Sequence, residues 1–229
     1  MDPEFLAETM SKLLEGLPVT LELTALSVAA GGVLALLLTL LRATSRPGAA
    51  VVSFYVYVLR GTPLLLQIFL IYYGLGQFPA VRQSVLWPFL REPYWCAILA
   101  LSINTAAYTS EILRGGMLAV PHGAVEAARV SGMSGALLYR RIILPLAIRQ
   151  ALPAYGNELV VMVKSTSLAS IVTLMEVSGI SYAIISETYR ALEVFLCAGA
   201  IYLAINFALT RALALLEHSL NPHLRAARA

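Results

Sequence analysis

The segment PVTLELTALSVAAGGVLALLLTLL, residues 18–41, contains one charged side chain, Glu22. At a rise of about 1.5 Å per residue, a helix of this length crosses roughly 30 Å of hydrocarbon. Its Gly31-Gly32 pair favours close packing against another helix, because neither residue carries a Cβ. The segment therefore predicts a transmembrane helix over residues 18–41.

The composition of the whole chain extends this prediction. Of the 229 residues, 59% are hydrophobic and 13% are charged, which excludes a soluble enzyme core and an intrinsically disordered chain. The net charge of +3 comes from loop arginines that membrane insertion explains, so nucleic acid is not expected as a partner. The sequence predicts an all-α membrane protein with about five transmembrane helices, the other four at residues 51–75, 94–113, 152–172 and 192–216.

The second predicted span contains the interruption Arg60-Gly61-Thr62-Pro63. Residues 63–74 alone are too few to cross a bilayer, so we expect the helix to run through Arg60. The Arg60 side chain would then snorkel or point into the protein. The early part of this span can instead lie along the interface as an elbow.

Residues 1–17 have the pattern of an amphipathic helix. Apolar side chains recur at helical spacing, with charged side chains on the opposite face. This pattern predicts a periplasmic, interfacial helix that precedes the first span. The apolar positions are Leu6, Met10, Leu13, Leu14 and Leu17.

Arginine and lysine in the short loops indicate the orientation. With the N-terminus outside and the C-terminus inside, the inner segments hold ten arginines and the outer segments four basic residues. The positive-inside rule therefore favours the N-out, C-in arrangement, with residues 115–150 in the cytoplasm. The inner residues are Arg42, Arg46, Arg114, Arg129, Arg140, Arg141, Arg149, Arg211, Arg225 and Arg228; the outer ones are Lys12, Arg82, Arg91 and Arg190.

The inner segment 115–150 is too polar to span the membrane, and its pattern predicts two short helices. Pro121 stands at a helix start, Glu126 is expected in the first turn, and Gly132 can end the helix in the left-handed conformation. Ser134 can cap a second helix that runs toward Pro145. An ordinary interfacial helical hairpin fits the same signals.

A motif resemblance gives this segment a more specific interpretation. The stretch Glu126 to Gly132, followed by Ile143-Leu144-Pro145, resembles the EAA motif of ABC-importer permeases. The segments 60–67, 104–111 and 120–123 resemble the polar-amino-acid branch of this family. Residues 64–78, 94–97, 164–169 and 171–182 are most similar to M-type permease subunits of arginine importers, with histidine and opine permeases as near alternatives. The resemblance implies a type I importer transmembrane domain with a cytoplasmic coupling helix.

The resemblance also implies partners and a location. Such permeases lie in the bacterial inner membrane as multi-pass proteins and work with a second homologous permease subunit, here expected as a heterodimer. Two copies of an ABC ATPase carry ATP and magnesium, and a periplasmic binding protein delivers the amino acid. This chain has no Walker loop and is expected to bind no cofactor or metal and to be non-catalytic. The residues implied to contact the ATPase are Glu126, Ala127, Ala128, Arg129 and Gly132.

Membrane-buried polar residues are the candidates for the substrate pathway. Glu158 can bind a guanidinium group through two hydrogen bonds, or it can form a structural ion pair with Arg149 or with another helix. Ser165, seven residues later, shares its helical face, and Asn157 precedes it. The run of Lys164 to Ser167 can also unwind the helix locally.

The third span carries a polar stripe of Asn104, Tyr108 and Glu111. This stripe can line the pathway or hydrogen-bond to neighbouring helices. Thr62 and Gln67, at the interruption of the second span, are candidates on the same grounds.

Beyond the fourth span, Thr173 and Glu176 have the spacing of a capping box for a short outer helix that ends near Ser186. The charges of Glu176, Glu187 and Arg190 can contact a binding protein, or they can simply be solvated.

Other functional classes find less support. The three histidines, His122, His218 and His223, lie in inner or terminal segments, and no catalytic triad or metal-ligand set emerges. A channel or a secondary transporter would use the same polar stripes, but neither needs a docking helix for an ATPase. The expected function is ATP-driven import of a basic amino acid, most specifically arginine, by alternating access. Histidine, an opine or another polar amino acid is the alternative substrate.

Overall fold

The computed structural model describes residues 2–220, which are almost entirely helical. Arg225, Arg228 and His223 lie outside the described residues. π-Helical turns occur at Leu70–Gly74 and Tyr139–Ile143, and 3-10 helices at Leu75–Gln77 and Thr166–Val172. The α-helices are α1 (Pro3–Glu15), α2 (Leu17–Thr44), α3 (Arg46–Gly61), α4 (Leu64–Phe69), α5 (Pro79–Arg82), α6 (Trp87–Leu90), α7 (Pro93–Leu118), α8 (His122–Val130), α9 (Gly135–Leu138), α10 (Leu144–Ser165), α11 (Val177–Thr188) and α12 (Ala191–Leu220).

The expected number of spans is confirmed, although two of them are bent. Within residues 2–220, three helical stretches are long and apolar enough to cross a membrane: Pro3–Thr44, Pro93–Leu118 and Ala191–Ser219. Two bent pairs qualify when each is taken as one span: Arg46–Gly61 with Leu64–Gln77, and Gly135–Val172 with Val177–Thr188. The chain therefore provides up to five crossings by length and composition.

The first and third spans run parallel, side by side. At one end the Tyr94 hydroxyl donates a hydrogen bond to Glu22 at 3.3 Å, so the N-terminal ends of α2 and α7 are adjacent. At the other end Arg42 forms an ion pair with Glu111. For the first and third spans to run in the same direction, the second span must cross the membrane in the opposite direction. The five-span prediction implies this alternation of directions.

One glycine allows the close contact between α2 and α7. A Cβ at Gly31 would lie 2.3 Å from Thr105 Cγ2 and 2.8 Å from the carbonyl oxygen of Ser102. A Cβ at Gly32 would meet nothing within 4 Å. Of the predicted packing pair, only Gly31 serves this contact.

The second span is broken. Its two arms meet at an angle of 105° between α3 and α4. Thr62 is extended, with φ −115° and ψ 144°, as expected for a residue that precedes a proline. The prediction of one helix through Arg60 is therefore wrong, and α3 is the elbow arm that the interruption also allowed.

Residues 3–15 form the predicted amphipathic helix, and part of its apolar face packs against protein. Leu13 is fully buried in a cluster with Val177 on α11 and Val194 on α12. At the junction with α2, a Cβ on Gly16 would lie 2.7 Å from the backbone of Glu176 and Val177. Helices α1, α11 and α12 thus form one packed unit.

The fourth span is longer than predicted and does not unwind. Helix α10 begins at Leu144 rather than at residue 152 and directly continues the π-helical turn Tyr139–Ile143; Pro145, near its start, has no N–H to donate to that turn. After Ser165 the chain tightens into a 3-10 helix. The Ser167 hydroxyl donates to the Lys164 carbonyl at 2.6 Å. Side chains of this segment therefore compete with backbone N–H groups for carbonyl oxygens, as expected, but the result is a tighter helix and not an unwound one.

Glu176 does not have the position expected from the capping box. Thr173 adopts a left-handed conformation with φ +67°, and Glu176 itself is the N-cap of α11. Its carboxylate is fully buried and accepts hydrogen bonds from the Gly179 N–H at 2.9 Å, the Tyr202 hydroxyl at 2.6 Å and the Thr20 hydroxyl at 3.4 Å. A solvated or partner-binding Glu176 is therefore excluded, and this side chain joins α2, α11 and α12.

We expect Glu176→Ala to lower the stability of the chain by about 2–3 kcal/mol, because it removes a helix cap and the buried carboxylate that accepts hydrogen bonds from Tyr202 and Thr20. The measurement is the melting temperature of the detergent-solubilised protein, which should fall by several degrees. Glu187→Ala is the control, since Glu187 lies on the same helix and is exposed. Equal melting temperatures for the two variants would contradict this role.

Candidate functional site

A polar cavity of about 230 Å³ lies between the α3–α4 break, α7 and α10. Five of the predicted pathway residues line it together: Thr62, Asn104, Tyr108, Glu158 and Ser165. Leu64, Val161 and Met162 complete the wall. The structure thus brings together residues that are more than one hundred positions apart in sequence, although their role in transport stays a prediction.

Glu158 is the charged group of this cavity. It is 8% exposed, and its Oε1 atom accepts a hydrogen bond from the Thr105 hydroxyl at 2.8 Å. The alternative ion pair with Arg149 is not formed, since nine residues along one helix separate the two positions by about 13 Å. Ser165 lies on the same face of α10, as predicted.

Arg60, an exposed residue that the pathway prediction did not include, lies next to the cavity without lining it. Its guanidinium carbon lies 4.8 Å from the centre of the Tyr108 ring, in a cation–π arrangement. Tyr108 lines the cavity, so positive charge stands at the Tyr108 side and the carboxylate of Glu158 at the α10 side. The signal for Arg60 is its charge within a segment predicted to lie in the membrane.

Gln67 has a different position from the other candidates. Its side-chain N–H groups donate to the Leu59 carbonyl and to the Thr62 hydroxyl, both at 2.8 Å, and to the Thr62 carbonyl at 3.1 Å. Its carbonyl oxygen accepts from Asn104 at 2.9 Å. Gln67 therefore satisfies the backbone groups that the break of the helix leaves open, beside the cavity rather than in its wall.

Two other polar residues are not part of the cavity. Asn157 is exposed on a different face of α10 from Glu158. Glu111, the inner member of the predicted stripe, is paired with Arg42 and, at 2.6 Å, with Arg114. Asn104 and Tyr108 line the cavity, whereas Glu111 joins the inner ends of α2 and α7.

The inner loop forms a short helix with a defined end. Helix α8 has Pro121 as its N-cap residue, and Glu126 lies in its second turn rather than its first. At the C-terminus the Gly132 N–H donates to the Arg129 carbonyl at 2.9 Å, and the Met133 N–H donates to the Ala128 carbonyl at 3.0 Å. Gly132 has φ +83°, so the predicted left-handed cap is present as a Schellman motif.

The outward face of α8 differs from the expected one at one position. Glu126, Ala127, Arg129 and Gly132 are exposed, but Ala128 is 6% exposed and faces the protein. Val130 is 90% exposed, a large apolar side chain on the open face. A groove of about 380 Å³ next to the helix end is lined by Arg129, Gly132, Met133, Ser134, Gly135, Leu138 and Tyr139.

The second short helix of the inner loop follows directly. Ser134 occupies the N-cap position of α9, but its hydroxyl makes no capping hydrogen bond. The π-helical turn at Tyr139–Ile143 then leads into α10 without interruption. Residues 135–172 therefore form a continuous helical path from the inner loop to the cavity.

Comparison with known proteins gives a family and close relatives. Residues 27–222 match the model of a family described as binding-protein-dependent transport system inner membrane component. The octopine transport system permease protein of Rhizobium meliloti is 59% identical over 228 residues, 99% of this chain and 93% of that protein. The arginine ABC transporter permease protein of Escherichia coli K12 is 46% identical over 164 residues, 71% of this chain and 73% of that protein.

A solved structure supports the fold. A chain of an amino acid ABC transporter with histidines superposes with a TM-score of 0.85 at 36% sequence identity. The match covers 96% of this chain and 99% of that chain. The all-helical arrangement with a broken second span is thus a known transporter architecture.

We expect Gln67→Leu to loosen the break between α3 and α4, because it leaves buried carbonyl groups without donors. Hydrogen–deuterium exchange of the amides of residues 64–69 should then become at least about tenfold faster. Gln77→Leu is the matched control, since Gln77 is exposed at the end of the same arm. Unchanged exchange in Gln67→Leu would show that the side chain does not hold the break.

Proposed function

The chain belongs to the family of binding-protein-dependent transport system inner membrane components, and we propose that it is the membrane subunit of an ATP-driven importer for arginine or an arginine-derived opine. Members of this family are multi-pass proteins of the bacterial inner membrane. The observation that carries the substrate proposal is the cavity lined by Glu158 and Tyr108, with Arg60 stacked on the Tyr108 ring. One carboxylate lines this space of about 230 Å³, and the guanidinium of Arg60 lies beside the Tyr108 ring of its wall.

The charges of this cavity suit an amino acid with a basic side chain. A carboxylate recognises a guanidinium through two parallel hydrogen bonds. Within residues 2–220, Glu158 accepts a hydrogen bond on Oε1 alone, so its second carboxylate oxygen is available to a ligand. Arg60 supplies the complementary charge for a substrate carboxylate. Amides and hydroxyls from Asn104, Thr62 and Ser165 add neutral hydrogen-bonding groups to the wall.

The relatives support the same substrate chemistry. Their names include octopine and arginine, and octopine is an arginine derivative that keeps the guanidinium group. The similar solved transporter contains histidines, another basic amino acid. A guanidinium compound is common to the two named permeases, so it is the substrate class that we propose for this chain.

The partners follow from the family and from the inner loop. We propose that a second, homologous permease subunit forms a heterodimer with this chain, and that a periplasmic binding protein delivers the substrate to its outer side. Two ABC ATPase subunits would hold ATP and magnesium and contact the face of α8 formed by Glu126, Ala127, Arg129 and Val130. The chain itself would be non-catalytic and oriented N-out and C-in. Nucleotide-driven closure of the ATPases would then alternate access to the cavity.

Glu158→Gln should reduce ATP-dependent uptake of arginine at low concentration by at least about tenfold, because it removes a charge-assisted hydrogen-bond pair. Uptake is measured with the complete transporter in proteoliposomes. Asn157→Ala is the matched control, since Asn157 is the adjacent residue but is exposed away from the cavity. Equal uptake by Glu158→Gln and wild type would place the substrate elsewhere.

Glu126→Lys should abolish the association of the ATPase subunits, because it reverses a charge on the exposed face of α8. Proteins that co-purify with the chain from its native membrane are identified by mass spectrometry. Glu15→Lys is the control for charge reversal, since Glu15 is exposed and lies at the end of α1, where a cation is favourable. An ATPase retained by wild type and Glu15→Lys but lost from Glu126→Lys supports the importer. A wild-type chain that is stable without any ATPase contradicts it and favours a channel or a secondary transporter.

A further inference from the structure

Thr105 contacts Glu158 from outside the cavity. The Thr105 side chain is 2% exposed and does not line the cavity. Its hydroxyl donates the 2.8 Å hydrogen bond to Oε1 of Glu158, which is the one hydrogen bond that residues 2–220 give to this carboxylate. A carboxylate that accepts a single bond on one oxygen keeps its other oxygen available for a ligand.

The orientation of Thr105 is in turn determined by α2. The position of a Cβ on Gly31 would be 2.3 Å from Thr105 Cγ2, so the Thr105 methyl group lies directly against the backbone of α2 at Gly31. Threonine in a helix has two accessible rotamers, and packing against a neighbour selects between them. With the methyl group held at α2, the hydroxyl points to α10 and Glu158.

The contact between Gly31 and Thr105 therefore connects helix packing to the geometry of the cavity. Helices α2 and α7 meet at Gly31, and α7 and α10 meet through the bond between Thr105 and Glu158. Without the hydroxyl, the Glu158 side chain could rotate among its rotamers, and a bidentate geometry toward a planar cation would be populated for less of the time. A neutral ligand that does not need the carboxylate would lose little.

We infer that Thr105 is a positioning residue that fixes the Glu158 carboxylate for a cationic side chain and thereby sets the preference for cationic over neutral substrates. This inference rests on the proposed substrate contact of Glu158. The other interpretation is that the bond only anchors α7 to α10. An anchor would affect all substrates equally, whereas a positioning residue affects the cationic one.

The test compares L-arginine with L-citrulline, which replaces the guanidinium by a neutral urea group of nearly the same shape. The complete transporter is reconstituted in proteoliposomes, and kcat and KM for ATP-dependent uptake of each compound are measured. Thr105→Val replaces the hydroxyl by a methyl group of similar size and keeps the contact with Gly31. Thr105→Ser keeps the hydroxyl and is the matched control.

For Thr105→Val we expect the arginine-to-citrulline ratio of kcat/KM to fall about fivefold, through a higher KM for arginine. Thr105→Ser should keep the ratio within about twofold of wild type. If Thr105→Val assembles poorly, Thr105→Ala adds no volume against α2 and is expected to change the ratio in the same way. An unchanged ratio in the variants without a hydroxyl, or an equal loss for both compounds, would overturn the inference.

Glu158→Gln separates this inference from the proposed function. A ratio that falls in Glu158→Gln but not in Thr105→Val refutes the positioning role and leaves the proposed substrate site intact. A ratio that does not change in Glu158→Gln refutes the proposed site itself. A fall in both variants, with Thr105→Ser similar to wild type, supports both.

Discussion

The hydrocarbon of a bilayer offers no hydrogen-bond partners, so a buried polar group in the spans is costly unless the chain satisfies it or it borders a polar cavity. Two buried groups follow this constraint in different ways. Gln67 satisfies the carbonyls that the break between α3 and α4 leaves open. The Thr105 hydroxyl satisfies one oxygen of Glu158, and the rest of that carboxylate borders the polar cavity. The break and the cavity are adjacent because irregular backbone is tolerated where it lines such a space.

Helices α7 and α10, which line the cavity, also extend from it to the inner loop. Helix α7 carries Asn104 and Tyr108, α10 carries Glu158, and the loop between these two helices contains α8. Near that loop, α7 and α10 are in close contact, since a Cβ on Gly116 would lie 2.6 Å from the Ala147 carbonyl oxygen. A force applied to α8 therefore reaches both walls of the cavity through short, packed helical segments. This path is the mechanical link that an ATPase-driven permease needs.

The sequence predicted features that depend on local pattern, and it missed those that depend on distant partners. Apolar runs predicted five spans, and Gly132 predicted a left-handed helix end, because backbone geometry alone requires it. The interruption at residues 60–63 allows either one helix or an elbow, and the sequence does not decide between them because the 105° break is held by Gln67 from the following helix. Glu176 was placed at the surface because the capping-box spacing says nothing of Tyr202, which buries it from α12.

The candidate site shows the same difference between features set by local pattern and features set by distant partners. Helical spacing grouped Glu158 with Ser165, and both line the cavity. It could not decide whether Asn157 also faced inward, because only the packed neighbours determine which face of α10 is buried. Thr105 lies outside the polar stripe of its helix and is not predicted from the helical spacing, since its role arises from Gly31 on one side and Glu158 on the other.

The most direct test of the central claim is an experimental structure of the assembled transporter with L-arginine bound. We expect a guanidinium group within hydrogen-bond distance of the Glu158 carboxylate, with the bond between Thr105 and Glu158 intact. Arginine bound away from Glu158, or Glu158 occupied by a cation of the protein itself, would contradict this claim.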